Sequence, residues 1–190
     1  MYGLVNNGIR DLVLETAGED AWDEIRNQAG CPERDFISMQ NYPDGLTYNL
    51  VAAASEHLNV PAQDLLQSFG KHWITFTGDQ GYGPLLTMAG DDLAGFLSNL
   101  DAMHSRISLS FPDLDPPSFQ AEEEPDGSIL LRYYSNREGL APMVLGLLQG
   151  VASRFDGSIE IQHSAKRADS GHDEFVITRI SAAGNGTNAA

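Results

Sequence analysis

The run Tyr133-Tyr134-Ser135-Asn136-Arg137 carries a phenol, a hydroxyl and a guanidinium at alternate positions, Tyr133, Ser135 and Arg137. It closes a β-branched and aromatic stretch, Ser128 to Tyr134, that follows the turn signal Asp126-Gly127 and so predicts a strand. Alternate residues of a strand share a face, which places the three side chains with Ile129 and Leu131. The expected result is a set of hydrogen-bond donors with one fixed positive charge beside an apolar surface. Such a set suits carboxylates or phosphates at the rim of a greasy pocket. An ordinary strand end with a solvated arginine accounts for the same residues, so both readings stand.

His104 is the second candidate. Leu93, Phe96, Leu97, Leu100, His104 and Ile107 fall at i, i+3, i+4, i+7, i+11 and i+14, and a helix puts His104 on their buried stripe. Gly90-Asp91-Asp92 offers the cap that starts it. A lone histidine on an apolar face is more often a hydrogen-bonded core residue than a ligand, and here too both readings stand. His57, His72, His163 and His172 have no cysteine or carboxylate partner at zinc-ligand spacing, so no competing metal site is expected. The pair Gly81 and Gly83 lacks the third glycine of a nucleotide fingerprint and reads as a turn. No nucleophile with a base and no distinctive carboxylate pair stands out, so the chain is not expected to be an enzyme.

The elements that must position these groups follow from periodicity. Val5, Ile9, Leu12 and Val13 predict a helix from Met1 to about Gly18, and Trp22 and Ile25 a second from Asp20 to Ala29. Thr47 to Leu58 predicts another, and Pro61 to Phe69 a short one closed by Gly70. Leu85-Leu86 begins a further helix, whereas Phe36 to Asn41 is too short and mixed to assign. Phe111 to Phe119 is held extended by Pro112, Pro116 and Pro117. Phe119 to Glu123 pairs with Ser128 to Tyr134 as a hairpin, a helix follows from Gly139 to Phe155, and Ser158 to Gln162 and Glu174 to Ile180 complete an antiparallel sheet. The expected class is α+β, with a mostly helical N-terminal lobe and further helices packed on a C-terminal antiparallel sheet. Ser181 to Ala190, small and polar, is expected to be disordered.

Composition sets the outer limits. A chain of 190 residues with 42% hydrophobic content suits one well-buried domain. The formal charge of −16 disfavours nucleic acid and anionic membranes and favours a basic partner surface. The single cysteine, Cys31, excludes an internal disulfide and fits a reducing compartment. No signal pattern opens the sequence and no run is long and apolar enough to span a bilayer, so a soluble cytoplasmic protein is expected.

Taken together, Tyr-x-Ser-x-Arg, a helical histidine about thirty residues upstream and the intervening Pro116-Pro117 resemble the heme nitric oxide/oxygen-binding (H-NOX) family. The similarity extends through Met1-Tyr2-Gly3-Leu4-Val5-Asn6, Leu50-Val51-Ala52-Ala53-Ala54-Ser55, Asn99-Leu100-Asp101-Ala102-Met103-His104 and the segment from Tyr133 to Leu140. It includes the stand-alone cyanobacterial members and the amino-terminal domain of the soluble guanylate cyclase β subunit. The resemblance implies a single domain over residues 1–180, with a distal lobe of about 1–62 and a proximal lobe of about 63–180 enclosing heme b (iron protoporphyrin IX). It implies His104 as proximal iron ligand, Tyr133, Ser135 and Arg137 on the propionates, and Pro117 against the heme plane. Val5, Ile9, Trp73, Met143 and Leu147 would line the distal side. Oxygen-holding members carry a distal tyrosine on the helix after the motif, where this chain reads Gly139-Leu140-Ala141-Pro142-Met143-Val144. The implied ligands are therefore nitric oxide and carbon monoxide, without a stable oxygen complex. Nitric oxide would weaken the bond to His104, and the output would reach a histidine kinase or a cyclic-dinucleotide enzyme in trans. The alternative is a non-heme domain that binds a carboxylate or lipid through Arg137 and Tyr133, which leaves His104 without a role.

Overall fold

The computed structural model describes residues 1–155 and 157–180, so the expected disorder of 181–190 lies outside the described residues. Helix α1 spans Gly3–Gln28 but breaks at Gly18, whose φ of 84° suits a residue without a Cβ. The two helices expected there are thus one kinked pair. Helix α2 (Asp44–Leu58) begins after Pro43 and ends on Asn59 in the left-handed region, a common helix stop.

Helix α3 (Ala62–Thr77) departs from expectation, because it runs straight through Gly70 instead of stopping there. Gly70 is a contact point, not a terminator. A Cβ at Gly70 would collide with the Met143 carbonyl, one at Gly146 with the Gln67 carbonyl, and one at Gly150 with the Lys71 carbonyl and Ile74 side chain. These glycines bring α3 and α6 (Ala141–Arg154) together backbone to backbone. The turn expected at the Gly81 and Gly83 pair falls at the end of a π-helical segment, Gly78–Tyr82, in which Gly81 has a φ of 90°. It feeds α4 (Gly83–Met88).

Helix α5 (Leu93–Ser110) is capped as expected: the Asp92 side chain accepts from the Gly95 amide at 2.8 Å. The proline-rich connector leads into β1 (Ser118–Glu123), which turns back into β2 (Ile129–Tyr134). After α6 come β3 (Ile159–Ala165), a one-turn helix α7 (Arg167–Ser170) that periodicity did not predict, and β4 (Asp173–Arg179). The sheet is antiparallel in the order β1-β2-β4-β3. Its register sets Phe119 against Tyr133 and Leu131 against Phe175, which aligns the buried alternation of neighbouring strands.

Two apolar cores result. Ile9, Val13, Trp22, Ile25, Leu50, Leu65 and Phe69 form the first, among α1, α2 and the start of α3. Ile74, Phe96, Leu97, Leu131, Val144, Leu148, Phe175 and Ile177 form the second, among α3, α5, α6 and the sheet. The architecture is the expected α+β one. No helix among the described residues is long and apolar enough to cross a membrane.

Candidate functional site

A cavity of about 270 Å³ lies at the second core and reaches the start of α1. Its walls include Val5 of α1, Trp73 of α3, His104 of α5, Pro117 of the connector, and Met143 and Leu147 of α6. Tyr133, Ser135 and Arg137 line it as well. Every residue selected from sequence therefore reaches this cavity except Ile9. That side chain lies one turn beyond Val5 and packs in the first core, with Val13, Val51 and Phe69 around a smaller void. Tyr2, Thr77 and Tyr82 also line the main cavity and were not anticipated. Lone tyrosines in mixed segments carry no periodic signal.

His104 is held by its neighbours. Its Nδ1 lies 3.1 Å from the Pro117 carbonyl oxygen, which can only accept, so Nδ1 carries the proton and Nε2 the lone pair. Burial pushes the His104 pKa down, against the opposing influences of the Pro117 hydrogen bond and the Asp101 charge, and so favours the neutral ring. A neutral imidazole whose second nitrogen is fixed by a carbonyl is the form that ligates metals. Asp101, one turn back on α5, accepts from the Phe119 amide at 2.6 Å and from the Ser118 hydroxyl at 2.9 Å. It stitches the histidine helix to β1. In sequence Asp101 is only an acid on a half-apolar helix, with nothing to mark that role.

At the polar end the geometry differs from a continued strand. Pairing stops at Tyr134, and Ser135 to Glu138 form a corner in which the Ser135 hydroxyl accepts from the Arg137 amide at 3.1 Å. Tyr133 is buried, and desolvation pushes its phenol pKa up, so it stays a neutral donor. Arg137 is not a free cation. Its Nε is 2.9 Å from Asp44 Oδ2 of α2, and its Nη1 donates to the Asp115 carbonyl at 2.7 Å. Asp44 also takes the terminal amine of Met1. Burial alone would raise the Asp44 pKa; the Met1 amine and Arg137 outweigh it and hold the carboxyl below its usual range. The Tyr48 hydroxyl donates to the Glu138 carbonyl at 3.0 Å, a second tie from α2 to the corner.

The other histidines do find carboxylates, contrary to their sequence spacing. His72 Nε2 lies 3.0 Å from Asp11 and its Nδ1 3.5 Å from Glu15, while His163 Nε2 lies 2.9 Å from Asp173. The partners come from other elements, so zinc-ligand spacing along the chain could not reveal them. Chemically, the main cavity joins an apolar interior, one imidazole lone pair and a rim of donors. Those residues fit a flat hydrophobic iron complex with acidic edge groups, as heme is.

Comparison with known proteins agrees in extent. A family model described as "Haem-NO-binding" matches residues 2–163. Soluble guanylate cyclase gcy-32 of Caenorhabditis elegans is 35% identical over 165 residues, covering 85% of this chain and 24% of that protein. Guanylate cyclase soluble subunit beta-2 of Rattus norvegicus is 42% identical over 91 residues, 48% of this chain and 13% of that protein. The chain thus spans about a quarter or less of the length of these relatives. Among solved structures, an H-NOX protein from S. oneidensis in the Fe(II)NO ligation state superimposes with a TM-score of 0.86 at 23% identity, covering 95% of this chain and all of that one, 100%. The unliganded Fe(II) H-NOX protein from K. algicida gives 0.79 at 24% identity, covering 95% and 97%. These two likenesses bear on the fold.

Proposed function

The chain belongs to the haem-NO-binding (H-NOX) family, and from that premise we propose that it senses nitric oxide and carbon monoxide at a heme b held by His104, without forming a stable oxygen complex. Membership makes it a heme-binding sensor domain, not an enzyme. The observation that carries the finer reading is His104: a partly buried, neutral imidazole on an apolar cavity, its Nδ1 fixed by Pro117. Heme, held there through His104, would supply an iron centre able to bind a diatomic gas. Tyr133, Ser135 and Arg137 would hold its acidic edge, and Pro117 would stiffen the wall beside it. Val5, Trp73, Met143 and Leu147 would exclude water from the gas side, with Ile9 in the core against which Val5 packs. Support for oxygen exclusion comes from α6, whose cavity wall offers Met143, Val144, Leu147, Leu148 and Val151 and no hydroxyl. Thr77, also on the cavity, gives its hydroxyl proton to the Trp73 carbonyl at 2.7 Å.

A change at His104 would reach the sheet through Asp101, which joins α5 to Ser118 and Phe119. The Arg137 and Asp44 pair joins the proximal lobe, about 63–180, to the distal lobe, about 1–62. Within the cytoplasm the output would act in trans on a histidine kinase or a cyclic-dinucleotide enzyme. The deciding experiment is the visible spectrum of the ferrous protein alone and under oxygen, carbon monoxide and nitric oxide, with His104→Gly alongside. We expect a heme spectrum that depends on His104, changes with carbon monoxide and nitric oxide, and is unmoved by oxygen. A stable oxygen complex would overturn the distal-wall argument and turn attention to Trp73, Tyr2 and Tyr82 as donors. Failure to take up heme would restore the carboxylate-binding alternative through Arg137 and Tyr133.

A further inference from the structure

The corner that bears Arg137 has no strand beside it. Pairing of β2 with β1 ends at Tyr134 opposite Ser118, and pairing with β4 ends at Tyr133 opposite Asp173. Backbone groups beyond that point need partners from elsewhere. Arg167 supplies one, its Nη1 donating to the Arg137 carbonyl at 3.0 Å.

Arg167 reaches the corner because of two local devices. The β3 to β4 register shifts between His163 and Ala165, and such a bulge redirects the chain. Asp173, buried at the start of β4, then accepts from the Arg167 amide at 3.3 Å and pairs with His163 Nε2 at 2.9 Å, which fixes the first residue of α7. Among the described residues no carboxylate lies within ion-pair distance of the Arg167 guanidinium. Arg137, by contrast, is already paired with Asp44. In a chain with a formal charge of −16, an acidic ligand edge needs positive potential that is not already compensated.

Resting on the heme reading above, we propose that Arg167 is a positioning residue for the cofactor's acidic edge. It fixes the backbone from which the Arg137 guanidinium projects, and it adds a second positive charge behind that guanidinium. The class of ligand group it serves is a carboxylate borne on a hydrophobic ring system.

The test uses the full chain loaded with heme and follows transfer of ferric heme to an excess of a scavenging apoglobin. Variants are Arg167→Ala and Arg167→Lys, with Arg137→Ala as reference and exposed Lys166→Ala as control. Loss of one charge-assisted hydrogen bond predicts that Arg167→Ala sheds heme about tenfold faster. Arg167→Lys should recover most of the difference, and Lys166→Ala should show none. Amide hydrogen exchange on the heme-free protein is the second readout: Arg167→Ala should speed exchange at Arg137, whose amide is held by Ser135, and leave the β2 amides unchanged. Parental heme loss in Arg167→Ala while Arg137→Ala is fast, or an acceleration that Arg167→Lys does not reduce, would overturn the proposal. A parent chain that takes up no heme would instead overturn the proposed function, and the exchange experiment would still decide whether Arg167 orders the corner.

Discussion

At the scale of single residues, the site is governed less by the groups that face the cavity than by the carboxylates and carbonyls behind them. His104 owes its tautomer to the Pro117 carbonyl, and Arg137 its direction to Asp44 and the Asp115 carbonyl. Asp44 gives this arrangement a pH dependence. Its folded pKa is depressed, so its contribution to stability is complete above the unfolded value of about 3.9 and is lost as pH falls through the lower folded value. Urea unfolding of the parent and of Asp44→Asn should therefore differ more at pH 7 than at about pH 3. A gap of equal size at both values would show that charge pairing is not its source. The side chain is partly exposed, so solvent screens the pair and the gap should be small. Asp44 was also illegible in the sequence, standing 93 residues from Arg137. Tyr133, Ser135, Arg137 and His104 could be selected because short-range spacing marks them. Asp44, Asp101 and Arg167 could not, because their partners are set by tertiary contact alone.

At the scale of elements, periodicity located helices and strands well where one face is buried, as in α5 and β2. It failed where a glycine does something other than end a helix. Gly70 looks like a terminator in a list of residues, yet its lack of a side chain is what lets α6 pack against the middle of α3. The same argument applies to Gly146, where an added methyl would meet the Gln67 carbonyl, an atom of helical backbone that cannot rotate away. Gly146→Ala should consequently destabilise the protein by about 2 kcal/mol, despite the better helix propensity of alanine. Thermal unfolding of Gly146→Ala beside Gly95→Ala makes the comparison. A Cβ at Gly95 would meet only the side chain of Asp92, which can adjust, so that variant should change stability far less. Equal effects would argue against the close α3 to α6 contact. The one-turn α7 escaped notice for another reason: four residues cannot display a helical period.

At the scale of the whole molecule, the cavity lies where the second core meets α1, and the tie between Asp44 and Arg137 closes its polar end. The long helix α3 belongs to both cores. Leu65 and Phe69 pack in the first, Ile74 in the second, and Trp73 against both. Neither half can lose its order without exposing the apolar face of the same helix, so the folding of the two is thermodynamically coupled. Calorimetry should record one transition with equal calorimetric and van't Hoff enthalpies, and two separated transitions would contradict the shared helix. What looks like a pair of lobes should thus behave as one cooperative unit. Dissecting the chain at about residue 62 would strip the first core of Leu65 and Phe69, leaving a fragment that does not fold by itself.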